Sequence, residues 1–273
     1  MLVKRLLVSA ILLPIAVVII ILGGPVFVGL IALVMGLAAW EYLQIFRASG
    51  LRPAGFLILV GTVSFVVGRA LNGFESGPWI LSLLVLASMA YHLVAYECGR
   101  DKAGSDFGVT LAGALYLGWI GAYLVSLRYL PEGMWWFLLA LPAVWCADAG
   151  AYIVGSRFGR HKLSRRLSPK KSWEGYLGGT LFATLGGGLL AAFYQALAGP
   201  ASAVTPARGV LLGLAVGLLS LLGDLGESMF KRQAGVKDSG NLLPGHGGVF
   251  DRIDSWLWAG VIGYYLVAWF FAL

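Results

Sequence analysis

The sequence predicts an all-α polytopic membrane protein of about nine transmembrane helices, with the N-terminus cytoplasmic and the C-terminus outside. Three observations carry that expectation. Of 273 residues, 59% are hydrophobic and only 12% are charged, with a mean hydropathy of +0.84. A water-soluble globule of this size could not cover its surface with so few charges. Apolar stretches of spanning length recur along the whole chain, and the basic residues between them fall mostly on alternate sides. A soluble enzyme, a disordered chain and a nucleic-acid-binding domain are excluded, although the net charge is +7.

A hydrocarbon core about 30 Å thick takes roughly 20 apolar residues in helix. Nine stretches approach that length: Leu6–Leu22, Val26–Phe46, Ala54–Leu71, Trp79–Tyr96, Val109–Leu127, Met134–Gly155, Gly175–Leu197, Arg208–Phe230 and Ser255–Phe270. The first follows Lys4 and Arg5 as a signal peptide would. Its apolar run is long for that role and no small-residue cleavage site follows, so it reads as an uncleaved helix. In the eighth, Gly209, Gly213 and Gly217 recur every four residues and leave one face bare for close helix packing.

With the N-terminus inside, the cytoplasmic segments hold Lys4, Arg5, Arg47, Arg52, Arg100, Lys102, the seven basic residues from Arg157 to Lys171, Lys231, Arg232, Lys237 and Arg252. That is 17 of the 20 Lys and Arg residues; only Arg69, Arg128 and Arg208 face outward. The asymmetry fits the positive-inside rule. Cys98 and Cys146 belong to no metal-ligand spacing, so neither a disulfide scaffold nor a zinc site is implied.

The two halves differ in kind. Residues 1–133 read as an N-terminal transmembrane scaffold of about five helices, where His92 is a packed polar residue and Glu41 lies close enough to the cytoplasmic end to snorkel. Residues 134–273 read as a C-terminal catalytic region of about four helices with two cytoplasmic loops. Asp148 and Asp224 lie within spans six and eight, each about seven residues, or about 10 Å, from the cytoplasmic end. Glu227 and Ser228 follow Asp224 on the same helix face. A charge near the bilayer centre costs at least about 2.5 kcal/mol, so acids there act as ion-paired glue or as a functional site.

The loops favour a site. Gly155–Gly175 carries seven basic residues, with Lys170 and Lys171 set in the order SPKKSWEG (Ser168–Gly175) ahead of a helix start. Lysines, a serine and a helix N-terminus suit a polyphosphate. The segment Ser228–Asp254 holds a glycine-rich turn, LPGHGG (Leu243–Gly248), leading into Asp251 and Asp254, three apart on one helix face. Carboxylates beside lysines and glycine backbone suit Mg²⁺ carrying substrate phosphates. Neither a Walker A nor a GxGxxG pattern occurs.

The run Ser228, Phe230, Lys231, Arg232, Lys237, Asp238, Gly240, Leu243, Pro244, His246, Gly247, Gly248, Asp251, Arg252 and Asp254 resembles the signature of the phosphatidate cytidylyltransferases (CDP-diglyceride synthases). The family's upstream elements match at Ala147–Tyr152 and Ser168–Gly175, with Ala149 standing where a small hydroxyl residue is expected. The resemblance implies transfer of CMP from CTP to phosphatidic acid, giving CDP-diacylglycerol and pyrophosphate for phospholipid biosynthesis. It implies Mg²⁺, alone or with a second cation, and a multi-pass location in the cell (inner) membrane with the active site facing the cytoplasm. Its partners would be CTP, phosphatidic acid and membrane lipids, not nucleic acid. A homodimer is compatible with it and with glycine-lined helices.

On this reading Asp224 and Asp251 are the leading metal ligands. Asp148, Glu227, Lys237, Asp238, His246, Arg252 and Asp254 carry catalysis. Ser168, Lys170, Lys171, Ser228, Lys231, Arg232, Gly247 and Gly248 bind substrate. Two alternatives stay open. Another CTP-using membrane lipid enzyme, such as a polyprenol kinase or an archaeal-type lipid cytidylyltransferase, would share much of this chemistry. A secondary transporter could also carry intramembrane acids, though usually at broken helices in mid-membrane rather than near one surface.

Overall fold

The computed structural model describes residues 2–240, 242 and 247–272. They form an all-α protein with one small hairpin: α1 (Leu2–Leu22), α2 (Gly24–Ala48), α3 (Gly55–Asn72), α4 (Ser76–Glu97), α5 (Ala103–Gly113), α6 (Tyr123–Arg128), α7 (Gly133–Phe158), β1 (Lys162–Ser164), β2 (Ser168–Ser172), α8 (Trp173–Ala198), α9 (Pro206–Leu219), α10 (Leu221–Gln233) and α11 (Phe250–Ala272). Among the described residues, seven helical stretches are long and apolar enough to cross a membrane. One of them, Gly55–Glu97, is 43 residues long and holds both α3 and α4, with only the 3₁₀ turn Gly73–Glu75 between them. The apolar part of α1, Leu12–Leu22, is a shorter helix.

The chain packs as two compact units, Met1–Ser126 with Phe230–Ile253, and Leu127–Met229 with Asp254–Leu273. This division does not follow the boundary at 133/134, because residues 230–253 pack with the N-terminal helices. In the first unit, Phe27, Ile31 and Met35 of α2, Ile58 and Phe65 of α3, and Leu117 are buried. Leu117 lies in a π-helical stretch, Ala114–Trp119, which interrupts the expected fifth span. His92 is buried with Nδ1 2.7 Å from the Ser88 carbonyl, the packed polar role expected of it. Four rings of α2, α10 and α11 gather here. Phe230 lies 5.7 Å from Tyr42 and 5.5 Å from Phe46, and Phe250 lies 6.4 Å from Tyr42.

In the second unit, α8 packs between α7 and α9 at backbone distance. A Cβ at Gly213 would run into the Ala183 carbonyl, and one at Gly217 would sit 2.9 Å from Thr180 Cα. The glycine stripe of α9 is therefore used against α8 within the chain. The expected eighth span is not one helix: it divides at Ser220 into α9 and α10. Caps fix where the helices start. Ser172 accepts from Gly175 N at the head of α8, and Thr205 accepts from Arg208 N at the head of α9, with Pro206 at its first position. Before α7, Glu132 adopts a left-handed conformation (φ 53°), and its carboxylate accepts from Ser202 Oγ and Ala203 N.

Candidate active site

The second unit contains a cavity of about 470 Å³. Helix α7 contributes Asp148, Ala151, Tyr152 and Gly155 to its wall, the hairpin Ser168, Lys170 and Lys171, and α8 Tyr176 and Thr180. Helices α9, α10 and α11, with the residue between α9 and α10, add Gly217, Ser220, Asp224 and Ser255. The hairpin pairs Lys162 with Ser172 and Ser164 with Ser168 in antiparallel register. Its base is fixed because Glu174 in the first turn of α8 accepts from the backbone amides of Arg160 and His161. Lys170 and Lys171 thus stand on a fixed ribbon rather than a free loop.

Acids and cations meet at this cavity. Asp224 Oδ2 accepts from Lys171 Nζ, and its Oδ1 accepts from Ser228 Oγ at 3.3 Å. Asp254 is 8% exposed and accepts from Ser255 N. Asp148 and Asp224 both lie within repulsive reach of Asp254, and Lys171 within attractive reach. Asp148 and Asp224 line the cavity together with Lys171, and Lys171 pairs with Asp224. Glu227, one turn beyond Asp224, is buried at 1% exposure.

The rest of the expected set lies in the first unit. Lys231 Nζ donates to Asp251 Oδ1 at 2.5 Å. Asp251 Oδ2 accepts from Ser239 N at 3.1 Å and from Gly248 N at 3.0 Å. Gly247 has φ +82°, a backbone conformation suited to glycine. Arg232, Lys237, Asp238 and Arg252 are exposed. His246, together with Leu243, Pro244 and Gly245, lies outside the described residues.

The structure differs from expectation at Glu41, which does not snorkel. It is 2% exposed and accepts from Ser239 Oγ at 2.9 Å, Val249 N at 3.0 Å and Phe250 N at 2.8 Å. Sequence reasoning passed it over: on the sequence span ending at Phe46 it stood five residues from the helix end, whereas the helix runs on to Ala48 and places it seven residues inside. The pocket hydroxyls of Tyr176, Thr180, Ser220 and Ser255 were also missed, having no charge to mark them.

Among the described residues, no three His, Cys, Asp or Glu side chains converge as a ready-made metal cluster. The donors at the cavity are carboxylate and hydroxyl oxygens, with no His or Cys among its lining residues. That set fits Mg²⁺, which keeps several waters and is commonly held by one or two carboxylates and the substrate's phosphates.

The chain is 38% identical to a phosphatidate cytidylyltransferase of Synechocystis sp. over 277 residues, covering 90% of each protein. It is 38% identical to one of Pseudomonas aeruginosa, covering 93% of each, and 34% identical to one of Bacillus subtilis, covering 81% of this chain and 78% of the relative. Residues 3–270 match the model of the cytidylyltransferase family, and the chain belongs to that family.

Proposed function

We propose that this enzyme transfers the CMP group of CTP to phosphatidic acid, releasing pyrophosphate and forming CDP-diacylglycerol. The carrying observation is the cavity lined by Lys170, Lys171, Asp148 and Asp224 inside a helical membrane protein. A phosphatidic acid oxygen attacks the α-phosphorus of CTP, and the bond from that phosphorus to the β-bridging oxygen breaks. The attacking group is a phosphate monoester whose second pKa is about 6, so it is largely dianionic at neutral pH and needs little help from a base. The main difficulty is repulsion between two anions. Lys170 and Lys171 relieve it by holding CTP phosphates, and Ser168 and Ser228 orient them.

Mg²⁺, when bound, supplies further charge neutralisation for the triphosphate and the departing pyrophosphate. Asp224 is the ligand that the cavity supports best, and Asp251 is the second proposed ligand. For Asp224 to coordinate metal, Lys171 must pass from its carboxylate to a substrate phosphate. Asp148, Glu227 and Asp254 are proposed to tune or complete that site.

The topology belongs to the same proposal: nine spans, the basic segments in the cytoplasm, and the cavity open to that side. It is supported by the charge split that nine spans produce, which gathers 17 of the 20 basic residues into alternate segments. Reporter fusions after Lys171 and at the C-terminus should report opposite sides, and the same side would overturn it. Homodimer formation rests on the family resemblance, since the α9 glycine stripe packs within the chain. Mass measurement in detergent tests it.

The activity is tested with purified protein, phosphatidic acid or a polyprenol, and CTP labelled at the α- or the γ-phosphate. Cytidylyl transfer to phosphatidic acid carries only the α label into lipid. Transfer of the γ label to polyprenol would establish a kinase instead.

A further inference from the structure

We propose that Glu41 is a positioning residue of the enzyme, holding the segment from Ser239 to Asp251 from a helix about 200 residues earlier in the chain. The inference rests on the reading that Lys231–Asp254 serves the transfer reaction. Glu41 touches no substrate on this account; it acts through Ser239 and the start of α11.

Among the described residues, its hydrogen bonds to Ser239, Val249 and Phe250 all go to that segment. Val249 and Phe250 stand at the head of α11, where amides have no acceptor within their own helix. A carboxylate there satisfies two of them and complements the helix dipole. Ser239 extends the link: its hydroxyl donates to Glu41 Oε2 and accepts from Asp251 N at 3.3 Å, while its own N–H donates to Asp251 Oδ2. A chain of charge-assisted bonds thus runs from Glu41 through Ser239 to the carboxylate that holds Lys231. The neighbouring glycines answer to the same residue. A Cβ at Gly240 would fall 2.6 Å from Glu41 Oε1, and one at Gly248 would strike both Ser239 Oγ and Glu41 Oε2. The backbone at Gly240 and Gly248 is therefore drawn in around Glu41.

A group that only stabilised the fold would alter the amount of folded enzyme, not its turnover per folded molecule. A positioning group should act on turnover. Glu41→Gln keeps size but turns an N–H₂ toward donors. It is expected to lower kcat about 10- to 100-fold, as losing an outer supporting contact commonly does, with KM for CTP and phosphatidic acid within about threefold. Ser239→Ala should give a smaller fall, and the double variant should be no worse than Glu41→Gln, since both changes cut one chain. Amide exchange should quicken across residues 239–251 and stay unchanged in α7.

Wild-type turnover in folded Glu41→Gln would overturn the proposal, as would additive losses in the double variant. If Glu41→Gln does not fold, Ser239→Ala decides alone: an unchanged kcat overturns the proposal and a lowered kcat at unchanged KM supports it. A wild-type protein that made no CDP-lipid would instead overturn the reading of the reaction, and amide exchange would still judge the role of Glu41.

Discussion

Two lysines each hold an aspartate, one pair in each unit, and the pairs are built differently. Lys171 and Asp224 line the cavity with side chains 27% and 34% exposed, and the other partner of Asp224 is a hydroxyl on its own helix. Lys231 and Asp251 are each 11% exposed, and Asp251 is also bound to two backbone amides. Exposed ion pairs contribute about 0–1 kcal/mol, whereas removing one member of a buried pair costs about 3–5 kcal/mol. The difference separates two jobs for one residue type. Asp224 has fewer bonds to give up in exchanging its lysine for another cation, while Asp251 also serves the fold of its segment.

The sharpest test of that contrast pairs activity with stability. Asp224→Asn and Asp251→Asn are each expected to remove detectable CDP-lipid formation at saturating Mg²⁺. Only Asp251→Asn should also lower the melting temperature appreciably, and equal melting in both variants would break the distinction. A smaller effect is expected from replacing Lys170 and Lys171 together with Gln. The apparent KM for CTP should rise at least about tenfold, equivalent to about 1.4 kcal/mol of lost phosphate binding, while membrane insertion stays normal. Unchanged CTP kinetics would reduce the hairpin to an orientation signal.

His246→Gln should keep measurable activity, because a dianionic phosphate nucleophile does not need the about 10²–10⁴-fold that a general base supplies. An inactive His246→Gln beside an active Asp251→Asn would reverse the assignment. The mildest change lies in the cavity wall, where Tyr176 donates to the Leu218 carbonyl at 2.9 Å. Tyr176→Phe should cost about 1 kcal/mol of stability, read by thermal melting, and leave kcat unchanged.

Helices were legible in the sequence because lipid imposes a length and a polarity on each one, and those constraints are local. Asp148 and Asp224 stood out for the same reason, as charges in apolar surroundings. The hairpin did not. Its strands are three and five residues long, with Leu163 the one large apolar residue and Pro169 in the second, so no sustained alternation marked them. The division at Ser220 was hidden because Leu218, Leu219, Leu221 and Leu222 flank it and neither Pro nor Gly marks the break. Glu41 escaped for a different reason. Its snorkelling position was judged from the helix end alone, while its partners lie 198 to 209 residues away, and no local pattern encodes such a pairing.

That separation has a consequence for biogenesis. At synthesis rates of about 5–20 residues per second, Glu41 leaves the ribosome about 10–40 s before Phe250 exists. For that interval its carboxylate lacks the donors that satisfy it in the finished protein, at a cost of at least about 2.5 kcal/mol if placed near mid-bilayer. Helix α2 therefore carries Glu41 with those donors still unmade until the start of α11 is synthesised. A nascent chain arrested before residue 239 would carry Glu41 without its donors, an unmet polar group by which quality control can tell an unfinished protein from a finished one.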